Sequence, residues 1–147
     1  DPRWGEFRDR ARDILSEDDR IQQIIRLVGE DVLPDEQKLI AFTAFLLKNG
    51  YLQQGAFGPD SFCPPEKGFA ILEMILFFHE KTRGLVNSGC PLSLIRDLDE
   101  VVEISHLKEM PAADMEAFKK VKGDLEDKLE EVGRERLARP GGEEQWH

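Results

Sequence analysis

Ile21-Gln22-Gln23-Ile24-Ile25-Arg26-Leu27-Val28-Gly29-Glu30-Asp31-Val32-Leu33-Pro34-Asp35-Glu36 holds the end of one helix, an acidic turn and the start of another. Ile21, Ile24, Ile25 and Val28 keep the i, i+3, i+4, i+7 spacing of one helical face, which the pattern predicts to be buried. Gly29 stands where helices commonly stop on a left-handed residue. Pro34 suits the first position of the next helix, where its missing N–H would have no intrahelical partner, and Asp35 and Glu36 complement the positive end of that helix. Leu39, Phe42 and Leu46 then share a stripe. Asn49-Gly50 signals a stop or kink before Tyr51, so Leu52-Gln53-Gln54-Gly55-Ala56-Phe57 is expected as a loop or a loose final turn. One helix thus joins a charged hairpin tip to a small polar and aromatic loop, as a lever joins its ends.

Upstream, a short helix is expected over Glu6 to Leu15 with Phe7, Ala11, Ile14 and Leu15 inward. Ser16 follows as an N-cap, with Asp19 three residues on and Glu17, Asp18 and Asp19 near the positive helix end. Downstream, Gly55, Gly58, Pro59, Pro64 and Pro65 predict an irregular segment, the kind that often carries binding residues. Glu66 to about Arg83 is the most apolar helix and is expected at the centre; His79 and Glu80 close its apolar part, with His79 read as a cap or surface residue. Two shorter helices, Pro91 to Leu98 and Glu100 to Met110, precede a last one from Met115 to about Leu137, for which Asp114 is the expected cap. That helix sets Phe118, Leu125, Leu129 and Val132 on one stripe against the bundle or a partner, and Gly123 and Gly133 each weaken it by about 1 kcal/mol.

Apolar residues recur at three and four while strand-like alternation is almost absent, so the fold class is all-α: a bundle of about six to seven helices with a protruding helix-turn-helix. The chain has 147 residues, enough for one domain that buries roughly 70% of its unfolded surface. Residues 1–139 form that domain; 140–147, with only Trp146 to bury, are expected to be disordered. Thirty acidic against twenty basic residues give a net charge of −10, which disfavours nucleic acid and anionic lipid as partners. No apolar run reaches the roughly 18 residues of a membrane span, and Asp1-Pro2-Arg3-Trp4 has neither a starting Met nor a signal-peptide core, so the chain is expected to be soluble and part of something longer.

Chemical motifs are few. Cys63 and Cys90 have no paired spacing and no His at ligand distance, so no metal or redox framework is expected. Gly84-Leu85-Val86-Asn87-Ser88-Gly89 begins like a phosphate loop, but Cys90-Pro91 stands where Lys and Ser or Thr are needed; it is read as a helix end and a turn. There is no His-Glu-x-x-His, no Gly-x-Ser-x-Gly and no Rossmann glycine pattern. No catalytic residue is assigned, and the chain alone is not expected to be a complete enzyme.

Ile21 to Gly29, Asp31-Val32-Leu33-Pro34-Asp35 and Leu52-Gln53-Gln54-Gly55-Ala56-Phe57, with Trp4, Arg8, Ala11, Asp60-Ser61-Phe62-Cys63-Pro64 and Lys67, make residues 4 to about 130 resemble one family. It is the C-terminal helical domain of the catalytic A subunit, or alpha chain, of V-type and A-type rotary ATPases. The resemblance implies a domain beneath a P-loop ATPase domain, in a ring with non-catalytic B subunits around a central stalk. The parent uses ATP or ADP with Mg and couples ATP hydrolysis or synthesis to proton or sodium transport; no cofactor is expected on this chain. The implied location is the soluble head, cytoplasmic and peripheral to the membrane, without membrane insertion.

By the same resemblance Glu30, Asp31, Leu33, Asp35 and Glu36 contact the stalk, and Gln54, Ala56 and Phe57 approach the adenine ring. Gly55 departs from the family's usual Asn, and Asn49-Gly50 interrupts a helix that is charged and continuous there, which predicts a less stiff lever and a less fixed loop. The alternative is a freestanding helical adaptor that binds a partner through the stripe from Phe118 to Val132.

Overall fold

Between Arg3 and Leu33 there is no proline, and Gly5 is the only glycine before Gly29. The chain accordingly forms one helix, α1, from Trp4 to Val28, 25 residues and roughly 37 Å long. Ser16 is inside it and caps nothing. The acidic run does not break the helix, and two of its three charges have partners: Arg20 pairs with Glu17, and Asp18 is buried against Gln22 and Lys48. The computed structural model describes residues 3–51, 65–107 and 115–138.

After a 3₁₀ turn at Glu30–Val32 come α2 (Asp35–Leu46), a π turn (Leu47–Tyr51), α3 (Pro65–Asn87), α4 (Leu92–Arg96), α5 (Asp99–Ile104) and α6 (Met115–Ala138). The all-α expectation holds: no strand occurs among the described residues. Pro34 is the N-cap of α2 rather than its first residue, with the extended backbone (φ −68°, ψ 159°) of a capping position. Asn49-Gly50 does not end the helix before Tyr51. The chain widens there into the π turn, and the Asn49 amide donates to the Phe45 carbonyl at 2.9 Å.

The core is built around α3. Ile71, Leu72, Ile75, Leu76 and Phe78 are buried on several sides of it, and it packs against α1, α2, α4, α5 and α6. Each such side chain contributes about 1.5–3 kcal/mol by leaving water. The helix runs one turn further than its apolar composition suggests and ends at Gly89 (φ +102°). The Cys90 N–H reaches the Leu85 carbonyl and the Gly89 N–H that of Val86, both at 3.0 Å, the paired bonds of a Schellman stop. The glycine run from Gly84 is therefore a helix end and a turn, as expected.

At the start of α1, Phe7 stacks on Phe69 (centroids 5.3 Å) and the Arg3 guanidinium lies 5.1 Å above Phe69, fastening that end to α3. Phe118, Leu125 and Leu129 of α6 are buried in the same core, with Val132 packed against it, so this stripe is internal and does not serve as an adaptor surface. Gly133 permits the close approach of α6 to α3: a Cβ there would stand 3.0 Å from Leu85 Cδ2. The fifth helix stops at Ile104, earlier than expected, where the Ser105 hydroxyl donates to the Val102 carbonyl at 2.7 Å.

Candidate functional site

The last turns of α1 and the 3₁₀ turn make the tip of the hairpin. Gly29 turns the chain at φ +91°, ψ 160°, a backbone conformation that is almost exclusively glycine's, while its N–H donates to the Ile25 carbonyl at 2.8 Å. Ile21 is buried, but the rest of the expected face is not: Ile24 is 39% exposed and Val28 59%. Leu27, off that face, is 83% exposed and Val32 59%. Among the described residues little packs on the end of α1, so its apolar spacing there does not translate into full burial. The sequence held one hint, since Leu27 lies off the stripe and a single neighbour cannot cover both sides of a helix.

The five acidic-turn residues occupy one turn but face different ways. Leu33 is buried beneath it, 6% exposed, and its N–H donates to the Glu30 carbonyl. The Asp35 carboxylate accepts from the Leu92 N–H at 2.9 Å, so it caps α4, whose own N-cap position, Pro91, has no side-chain donor or acceptor. Glu30 lies 3.8 Å from Arg96, and Glu36 lies 4.0 Å from Arg83. Asp31 is exposed, with no ion-pair partner among the described residues. The structure thus turns two of the five into internal braces, loosely ties two more, and leaves one free beside exposed apolar side chains.

Further along, α1, α2 and α3 enclose a cleft of about 230 Å³ lined by Asp13, Ile14, Glu17, Glu36, Leu39, Ile40, His79 and Arg83. His79 is neither cap nor surface residue. It is 7% exposed, inside α3, with Nδ1 2.6 Å from the Thr43 hydroxyl, so one hydrogen bond joins imidazole and hydroxyl. Burial lowers its pKa to about 4; Glu80 opposes the shift, and Arg83 and Arg10 reinforce it. The hydroxyl beside it belongs to a fully buried Thr43 that no substrate can reach, so the neutral imidazole fits a structural bond better than acid–base work. A second cleft, about 300 Å³, lies between α5 and α6, lined by Glu100, Glu103, Lys120 and Asp124, with Lys120 donating to Asp124 at 3.0 Å. Among the described residues no group of three His, Cys, Asp or Glu is placed to hold a metal ion.

Sequence reasoning missed the buried charge on α1. Asp18 is 1% exposed, with one oxygen accepting from Gln22 Nε2 at 3.0 Å and the other from Lys48 Nζ at 3.1 Å. Its position four residues before Gln22 was the only local signal; the ion pair spans thirty residues and is invisible to periodicity. Gln54, Ala56 and Phe57 lie outside the described residues, as do Cys63, Asp114 and the tail at 140–147. No helix among the described residues is long and apolar enough to cross a membrane.

Comparison with known proteins bears on this geometry. Residues 1–95 match the family described as the C-terminal domain of V and A type ATP synthase. The V-type ATP synthase alpha chain of Halothermothrix orenii is 41% identical over 84% of this chain and 21% of its own length. The A-type ATP synthase A subunit of Ignicoccus hospitalis is 42% identical over 70% of this chain and 18% of its own, and that of Staphylothermus marinus 35% over 92% and 23%. The chain therefore spans about a fifth of the length of these curated relatives.

Proposed function

Because the chain belongs to the family of C-terminal domains of V and A type ATP synthases, we propose that it carries nucleotide-dependent movement of the catalytic subunit to a central stalk. The supporting observation is the hairpin: an unbroken α1 of 25 residues ends in an exposed apolar and acidic tip, while its other end is fastened to the bundle. Leu27, Val28, Val32 and Asp31 make the contact; Glu30 and Glu36 join it on leaving Arg96 and Arg83; Leu33 and Asp35 hold the turn from beneath.

Gln54, Ala56 and Phe57 approach the adenine. An aromatic face packs on a purine, and a Gln amide both donates to and accepts from its edge. ATP or ADP with Mg is held by the remainder of the longer subunit, so this chain alone hydrolyses no ATP. Non-catalytic B subunits flank it in the ring, and the complex couples hydrolysis or synthesis to proton or sodium movement. The head sits on the cytoplasmic side, peripheral to the membrane.

The test is the double variant Leu27→Asp/Val28→Asp, with and without Asp31→Lys, in the assembled rotary complex. These positions are exposed, so stability should change by less than about 0.5 kcal/mol. ATP turnover should continue while ions moved per ATP fall by about tenfold, as for loss of contact residues at an interface centre. Unchanged coupling would rule out the stalk contact.

A further inference from the structure

The cleft enclosed by α1, α2 and α3 has polar walls of opposite kinds. Asp13 and Glu17 stand one turn apart on α1, and His79 and Arg83 one turn apart on α3. Glu36 of α2 reaches the same opening, 4.0 Å from Arg83. With His79 neutral at pH 7, three carboxylates against one guanidinium leave the cleft an excess of two negative charges. Glu17 is engaged by Arg20, whereas Asp13 has no ion-pair partner among the described residues. Carboxylates at an opening are ordinarily just solvated and alone would mark no site; His79 adds what they lack.

Thr43 is fully buried, and its hydroxyl has no hydrogen-bond partner except His79 Nδ1. The hydroxyl therefore donates to Nδ1, because the reverse arrangement would leave a buried O–H without an acceptor. That places the imidazole hydrogen on Nε2. Nε2 has no partner among the described residues, yet the only side-chain nitrogen or oxygen there both unpartnered and sealed from solvent is Thr82 Oγ1. Nε2 is therefore open, and the cleft is where His79 meets solvent. A side chain only 7% exposed thus offers the cleft a single neutral N–H donor.

The occupant must bring positive charge to the rim and an acceptor to His79. Ammonium and guanidinium groups only donate, so a bare cation leaves Nε2–H unanswered. An anion answers Nε2–H but meets the excess negative charge. A lysine or arginine within a polypeptide has both features, a peptide carbonyl and a cation, joined by an alkyl stem that suits the half-buried Ile14 and Ile40.

We propose that this cleft is a binding site for a lysine or arginine residue of a partner polypeptide. Its peptide carbonyl accepts from His79 Nε2–H, its stem lies along Ile14 and Ile40, and its cation is held by Asp13 and Glu17. Glu36 is shared with the proposed stalk contact, so the variants that test the site are made on α1.

The experiment is an NMR titration of this chain at pH 7, following backbone amides and the His79 ring nitrogens. The probe is N-acetyl-arginine methylamide; N-acetyl-citrulline methylamide keeps its shape without the charge, and butylguanidinium keeps the charge without the carbonyl. Before any addition, His79 should carry its hydrogen on Nε2. The arginine probe should bind with a Kd of about 1 mM and move the Nε2–H resonance. The citrulline probe should bind at least about fivefold more weakly, and butylguanidinium should leave Nε2–H unmoved. Asp13→Asn/Glu17→Gln should bring the arginine probe down to the citrulline level; if that variant does not fold, Asp13→Asn alone should weaken the probe by about twofold. A hydrogen on Nδ1, equal binding of the arginine and citrulline probes, or full affinity in the α1 variants would each overturn the site.

Discussion

His79 shows how a residue's surroundings set its chemistry. Its folded pKa of about 4 lies below the ordinary 6.5, so the unfolded chain takes up a proton at higher pH than the folded one does. The stabilisation this brings is complete above about pH 6.5 and is lost as pH falls toward 4, a loss of about 3 kcal/mol for one imidazole. Replacing it, as in His79→Leu, should cost about 1–2 kcal/mol at pH 7, where Thr43 loses its partner, and less at pH 4.5, where the parent has lost that stabilisation too. Urea unfolding of both proteins at the two pH values checks the sign; a gap that widens on acidification would refute it. Nothing around His79 in the sequence revealed this. Phe77, Phe78 and Glu80 fit the end of an apolar face equally well, and Thr43, thirty-six residues away, decides the matter.

Helices show the same division between local and distant causes. Both glycines of α6 were expected to weaken it, but their settings differ. A Cβ at Gly123 meets nothing within 4 Å, so Gly123→Ala should stabilise the fold by about 0.5–1 kcal/mol through helix propensity. At Gly133 the Leu85 methyl must give way, and Gly133→Ala should gain less than Gly123→Ala or lose stability. Melting temperatures of the two variants decide it, equal gains being the unfavourable result. Helix ends were legible wherever a backbone rule operates: Gly29 and Gly89 stop α1 and α3 at positive φ. Helix continuity was less legible. Ser16 has the chemistry of a cap, but a cap forms only where the chain turns, and packing of α1 along α2 and α3 keeps it straight.

At the scale of the molecule, one core unites α1 to α6 and gives the α6 stripe its role. Leu125→Ala and Leu129→Ala should each cost about 2–5 kcal/mol in denaturant unfolding, the range for buried Leu truncation. On a partner-binding face in an adaptor, the same changes would cost almost nothing. The acidic turn belongs to this scale as well. A stretch with Glu30, Asp31, Asp35 and Glu36 reads as one charged surface, yet Asp35 crosses to the first N–H of α4, fifty-seven residues on. The candidate contact is consequently more apolar than its composition suggests.

Two kinds of information separate here. Helical class, the glycine stops, the central place of the most apolar helix and the family were readable from residues alone, because periodicity, backbone freedom and motif spacing are properties of short stretches. Only the tertiary structure decided that Ile24 and Val28 are exposed, that Asp35 is a cap, that Asp18 binds Lys48 and that His79 is buried. Burial and charge pairing depend on what the rest of the chain brings alongside a residue, and among the described residues it leaves Leu27 and Val28 at the end of α1 uncovered.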